Sequence, residues 1–104
     1  MNPISDILED LRAGKMVVLV DDEGRENEGD LICAAQSISA DDVNMMLREA
    51  RGMMCIALTE ATCSRLDLPP QTAVNTAQRG TAFTVTVDAH ERHGITTGVS
   101  AADR

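Results

Sequence analysis

Residues 21–30 read Asp-Asp-Glu-Gly-Arg-Glu-Asn-Glu-Gly-Asp, six carboxylates and one arginine in ten positions. They hold five of the eight net negative charges of the chain, so its acidity is local. Clustered carboxylates repel one another, and a bound cation or raised pKa values must relieve the repulsion. Oxygen-only donors suit a hard divalent ion, Mg²⁺ or Mn²⁺, that keeps waters for a substrate to displace. A calcium loop is excluded by register: the position that must be glycine holds Glu26 counting from Asp21, and Asn27 counting from Asp22. Arg25 adds a planar donor that can pair a carboxylate or orient an anionic, oxygen-rich ligand. The combination points to a phosphorylated, hydroxylated substrate. A plainer reading is a solvated acidic hairpin tip in which Arg25 only relieves repulsion. Position favours a site: Gly24 and Gly29 let the backbone fold the acids inward, and Glu26, Glu28 and Asp30 share one face wherever that part is extended.

The elements that must position these residues are short. Asn2 and Pro3 start a helix whose Ile4, Ile7, Leu8 and Leu11 recur at helical spacing until Gly14. Met16–Val20 and Leu31–Ala35 read as strands, which puts the acidic segment on the connection between them. Ser39 with Asp42 three residues on is a capping signature for a second helix ending before Gly52. Met53–Leu58 reads as a third strand, Thr59–Leu66 as a short helix, Leu68-Pro69-Pro70 as a break and 71–81 as loop. Phe83–Val87 alternates strictly, with Phe83, Val85 and Val87 on one face, the clearest strand in the chain. Ser100-Ala101-Ala102-Asp103 is another helix start, and there the polypeptide stops. A single turn has no propagation to offset its nucleation, so we expect a chain cut short of its natural end.

At 104 residues the chain is at most one domain. Phe83 is the only aromatic, and a pI near 4.5 repels phosphate backbones, so no nucleic-acid partner is expected. Cys33, Cys55 and Cys63 are odd in number and lack Cys-x-x-Cys spacing, which argues against a disulfide framework and a structural zinc site and for a cytoplasmic location. The longest apolar run, Met53–Leu58, is far short of the ~18 residues of a spanning helix, and no membrane partner is expected. His90 and His93 could be read as a metal pair, but two histidines three apart without a third ligand carry little.

Two long motifs agree in order and separation with one family. Asp21 through Leu31, together with Gly94-Ile95-Thr96-Thr97-Gly98-Val99-Ser100-Ala101-Ala102-Asp103-Arg104, resembles 3,4-dihydroxy-2-butanone 4-phosphate synthase of riboflavin biosynthesis. Arg51–Cys55 and Phe83–Val87 resemble it between them. The resemblance implies an α+β fold, a three-layer arrangement with a mixed β-sheet, of which residues 1–104 form an incomplete N-terminal portion. It implies a homodimeric, Mg²⁺-dependent lyase that converts D-ribulose 5-phosphate into 3,4-dihydroxy-2-butanone 4-phosphate and formate, with Mn²⁺ as the other candidate ion. By position, Glu26 matches the metal-binding glutamate, which also meets the sugar phosphate, and Arg25 and Asp30 match residues that hold that substrate. Glu28 is implied as an acid/base or supporting carboxylate. Asp21 ranks next as a substrate contact at the strand end, and Thr97 is preferred over Thr96 between the glycines. Cys55 resembles a cysteine facing the family's site, its plainer reading being a small buried apolar residue.

The family is about twice as long, and its later half carries an Arg-x-Gly-His-Thr segment supplying the second metal ligand and phosphate contacts. No such segment occurs here. The expectation is a chain inactive by itself, with one uncovered apolar face. The alternative from another class is a non-catalytic divalent-cation-binding or acidic interaction module.

Overall fold

The period-3.6 pattern at the start of the sequence produces α1, Ile4–Arg12, in the computed structural model, which describes residues 1–104. Pro3 takes the cap position itself, at φ −58° and ψ 143°, so the helix begins one residue later than expected and Asn2 does not cap it. Asp6 in the first turn and Arg12 in the last complement the helix dipole. Ile7 and Leu11 are half-buried, while Ile4 and Leu8 remain exposed.

β1, Val17–Val20, and β2, Gly29–Ile32, form an antiparallel two-stranded sheet with Val17 opposite Ile32 and Val20 opposite Gly29. β2 starts two residues earlier than the apolar run indicates and ends at Ile32, because hairpin pairing extends it back into the acidic segment. Residues 21–28 are therefore the hairpin connection. α1 packs on β1.

α2, Ala40–Met45, opens with the expected reciprocal cap: the Asp42 amide donates to Ser39 Oγ at 3.2 Å and the Ser39 amide donates to Asp42 Oδ2 at 2.9 Å. That pairing holds the Asp42 carboxyl below its ordinary range. A wider π turn, Met46–Ala50, continues α2, packs on β2 and ends at Arg51, whose φ is +59°. Val43, at 2 % exposure, is the fully buried apolar residue of this junction. α3, Glu60–Arg65, is capped by Thr59, whose Oγ1 accepts from the Thr62 amide at 3.2 Å.

Two expected strands do not form. Met53–Leu58 forms no strand and pairs with no other segment, and Met53, Ile56 and Leu58 are exposed. Phe83–Val87 contributes one isolated bridge, Pro70 to Thr84, flanked by Gln71 N–H to Phe83 C=O at 2.9 Å and Val85 N–H to Pro69 C=O at 3.0 Å. Pro69, which accepts from Val85, has no N–H to return that bond and extend the ladder. The C-terminal Ser-x-x-Asp closes a turn rather than a helix. The class is α+β, with the sheet reduced to one hairpin.

The surface area is 8674 Å², against about 5,700 Å² for a compact chain of this mass. The radius of gyration, 15.5 Å, likewise exceeds the roughly 13 Å of a compact domain of this length. Val18, Val20, Met53, Ile56, Phe83 and Val87 stand exposed. The chain thus presents apolar surface that it does not itself cover.

Candidate functional site

Asp21 builds the acidic connection. Its Oδ2 accepts from Arg25 Nη1 at 2.8 Å and from the Glu26 amide at 3.0 Å, and its Oδ1 accepts from the Glu28 amide at 2.8 Å. Its own amide donates to the Glu28 carbonyl at 3.2 Å, continuing the hairpin ladder one pair past Val20–Gly29. Three donors from its own loop thus engage the carboxylate, which organises the turn and keeps part of its acceptor capacity. The Glu28 amide above all, then the Glu26 amide and the Arg25 guanidinium, hold the Asp21 carboxyl below its ordinary range, outweighing partial burial.

The turn at the tip is set by Asp22. Its Oδ1 accepts from the Gly24 amide at 2.7 Å and its carbonyl from the Arg25 amide at 2.8 Å, a side chain mimicking a backbone turn. Asn27 follows at φ +52°, a left-handed conformation that asparagine tolerates. This kink breaks the alternation that would align Glu26, Glu28 and Asp30. Glu26 sits on the turn, Glu28 just before β2, and Asp30 within β2 opposite Leu19.

Arg25 and Glu26 project from this turn side by side. Arg25 Nη1 bridges Asp21 Oδ2 and, at 3.1 Å, Glu26 Oε2. The hydrogen bond to Asp21, then the charge of Glu26, make the guanidinium still harder to deprotonate. A second arginine closes on the same turn from residues 71–81, a stretch the sequence marks only as loop. Arg79 donates through Nη2 to the Arg25 carbonyl and places Nε 3.5 Å from Glu26 Oε1. The one available signal was charge: Arg79 is the only Lys or Arg between Arg65 and Arg92.

The second motif folds around Asp103. Its Oδ1 accepts from the Thr96 amide at 3.0 Å, and its Oδ2 from Thr96 Oγ1 at 2.8 Å and the Gly98 amide at 3.2 Å. The Thr96 amide, then its hydroxyl, lead in holding this carboxyl below its ordinary range. Thr96 is thereby engaged inside the loop, whereas Thr97 is exposed and its hydroxyl makes no hydrogen bond within the chain. Cys55 is exposed too, its thiol 4.0 Å from the Met53 carbonyl. No hydrogen bond or ion pair joins Asp30, Cys55 or Thr97 to the Arg25–Glu26 pair; the structure brings together Asp21, Arg25, Glu26 and Glu28.

As donors, Glu26, Glu28 and Asp21 have the hard oxygens that suit Mg²⁺ or Mn²⁺. Yet no three His, Cys, Asp or Glu side chains converge on one point. The fit is one of donor kind, with Glu26 as a carboxylate ligand and the rest of an octahedral shell left to waters or other donors. A cavity of about 960 Å³ lies between α3 and the 69–84 segment and includes none of the candidate residues. A smaller open depression of about 650 Å³ does adjoin the acidic turn, lined by Val20, Asp21, Asp22 and Gly24 among others.

Residues 5–104 match the sequence pattern of 3,4-dihydroxy-2-butanone 4-phosphate synthase. The chain belongs to that family. Among its relatives, the riboflavin biosynthesis protein RibBA of Aquifex aeolicus is 50% identical over 103 residues, which are 99% of this chain and 25% of the relative. The 3,4-dihydroxy-2-butanone 4-phosphate synthase of Pseudomonas aeruginosa is 51% identical over 104 residues, 100% of this chain and 28% of the relative. The chain thus spans about a quarter of the length of these curated relatives. A crystal structure of a family synthase in complex with two magnesium ions superposes with a TM-score of 0.92 at 43% identity, covering 99% of this chain and 47% of that one. The two-domain synthase RibBX of A. baumannii gives 0.85 at 46% identity, covering 98% and 29%.

Proposed function

We infer that this chain is the N-terminal portion of a 3,4-dihydroxy-2-butanone 4-phosphate synthase domain and contributes one wall of its sugar-phosphate site. The reaction is the Mg²⁺-dependent conversion of D-ribulose 5-phosphate into 3,4-dihydroxy-2-butanone 4-phosphate and formate in riboflavin biosynthesis, in a cytoplasmic homodimer. The observation that carries this reading is the Arg25–Glu26 pair, held 3.1 Å apart on a turn that Asp21 fixes, within the motif of the family.

Arg25 offers its remaining N–H groups to phosphate or hydroxyl oxygens of the substrate, and Asp30, on the rigid strand, accepts from its hydroxyls. Glu26 faces the cation and the sugar. Glu28, whose amide is tied down but whose carboxylate makes no hydrogen bond, is free to hold or pass a proton. Thr97 supplies a free hydroxyl to a substrate oxygen, and Cys55 is assigned to face the site in the completed domain. A bound Mg²⁺, or Mn²⁺, supplies Lewis-acid polarisation of substrate oxygens. Magnesium is favoured because a close structural relative is described with two magnesium ions. The remainder of the domain would complete a three-layer arrangement with a mixed sheet and cover the exposed apolar residues of β1, 53–58 and 83–87.

Calorimetry tests this. Mg²⁺ and ribulose 5-phosphate should bind together to the parent chain, and Glu26→Gln should abolish the cation-dependent sugar binding. Cation binding with no sugar dependence would instead support a non-catalytic binding module. The chain alone should release no measurable formate, since its side chains do not close a cation shell; robust release would refute the assignment of only one wall to it.

A further inference from the structure

Every side-chain hydrogen bond of the chain but one joins residues no more than seven positions apart. The exception is Arg79, which crosses 54 positions to the Arg25 carbonyl and pairs with Glu26. Glu26 consequently has a guanidinium at each oxygen: Arg25 Nη1 at 3.1 Å from Oε2 and Arg79 Nε at 3.5 Å from Oε1.

The two cations are not equivalent. Arg25 is anchored in the same turn by its 2.8 Å bond to Asp21, and moving it would undo the loop. Arg79 comes from a separate segment, meets Glu26 as an ion pair beyond good hydrogen-bond geometry, and has an independent tether on the Arg25 carbonyl. Its side chain can therefore swing off Oε1 without leaving the turn. The geometry points to Arg79 as a built-in counter-ion of Glu26: it neutralises the carboxylate when no divalent cation is present and yields Oε1 when one binds. This rests on the reading of Glu26 as a cation ligand. Arg79 is a positioning residue on that view, acting through Glu26 rather than on substrate. It sets a threshold of cation concentration below which Glu26 stays paired with the chain's own arginine, while the turn itself is held by Asp21.

The consequence has a sign that a purely structural brace does not share. A positive charge a few ångströms from an exposed cation site weakens cation binding, so removing it should tighten binding by about three- to tenfold, less as added salt screens the repulsion. A brace, once removed, should weaken it.

Mn²⁺ titrated into the full chain and followed by electron paramagnetic resonance separates these outcomes. Arg79→Gln should bind Mn²⁺ about three- to tenfold more tightly than the parent at low ionic strength, with the gain fading in ~1 M salt. Arg79→Lys, which keeps the charge, should stay within about twofold of the parent. The Glu28 amide resonance, which reports the bond to Asp21, should be unchanged in both variants. Weaker or unchanged binding in Arg79→Gln, or an equal gain in Arg79→Lys, overturns the proposal. Failure of the underlying reading looks different: parent and Glu26→Gln would bind Mn²⁺ alike, whereas failure of the counter-ion role leaves Glu26→Gln impaired and Arg79→Gln without gain.

Discussion

Two loops of this chain are folded around a single aspartate, and they use the device to opposite ends. Asp21 gathers the Glu26 and Glu28 amides, and Asp103 gathers the Thr96 and Gly98 amides. The third donor differs. Asp103 takes a neutral hydroxyl from Thr96, which ties that side chain into the loop and adds no second charge there. Asp21 takes the Arg25 guanidinium, which remains 54% exposed and carries Glu26 out beside it. A carboxylate satisfied by backbone amides can thus either close a loop or hold a charged pair on display, depending on whether its last partner is neutral or ionic.

The sharpest way to break this comparison is to remove both carboxylates in turn. Asp21→Ala frees three donors and the turn that aims Arg25 and Glu26, so Mn²⁺ affinity should fall by about 10- to 100-fold, as when supporting groups behind metal ligands are lost. Asp103→Ala should leave Mn²⁺ affinity within about twofold while exposing the Thr96 and Gly98 amides to rapid hydrogen exchange. Equal losses of affinity in the two variants would mean that the loops act as one site.

A second contrast is steric. Gly98 has φ +74°, and a Cβ there would lie 2.5 Å from the Asp88 carboxylate; Gly29 has an ordinary φ, and its Cβ would meet Val18 Cγ1 at 3.6 Å. The Asp88 side chain can move aside, but the left-handed backbone cannot be relieved, so Gly98→Ala should cost about 1–2 kcal/mol locally. Amide exchange at Thr96 should then accelerate by roughly fivefold to thirtyfold, with Gly29→Ala leaving Glu28 exchange unchanged. Slow exchange at Thr96 in Gly98→Ala would show that Asp103 alone shapes that loop.

Local chemistry made part of this arrangement readable in the sequence. The Ser39–Asp42 cap, the Gly14 stop and the placing of the acidic segment on a β-hairpin each depend on residues within a few positions. Met53–Leu58 and Phe83–Val87 carry the apolar patterns of strands, but a pattern states only which face wants cover; pairing needs a distant partner, and Pro69 and Gln71 offer Phe83–Val87 a ladder of two bonds. In the site, residue types and the family motif pointed to Arg25, Glu26, Glu28 and Asp30. The work of Asp21 as organiser and of Asp103 as the lock on Thr96 was not legible, because both depend on backbone amides whose direction is set only by the fold. Arg79 was hidden for the same reason, its partner lying 54 residues away.

Acid and salt give the smallest and most discriminating contrast. Both carboxyls titrate below the ordinary 3.8, so on acidification the unfolded chain takes up their protons first. The stabilisation each loop receives is therefore complete above about pH 4 and lost as pH falls through the lowered folded-state value. Both loops should open in that acid window, seen as loss of the downfield Glu28 and Thr96 amide resonances. Raising salt to ~1 M, where the screening length falls to about 3 Å, should move the Asp21 titration back toward its ordinary value slightly more than that of Asp103. The difference should be small, because the Glu28 amide, not Arg25, leads in depressing Asp21. If salt shifts the two carboxyls equally, the guanidinium is not what separates the open loop from the closed one, and the Thr96 hydroxyl must be doing the same electrostatic work as Arg25.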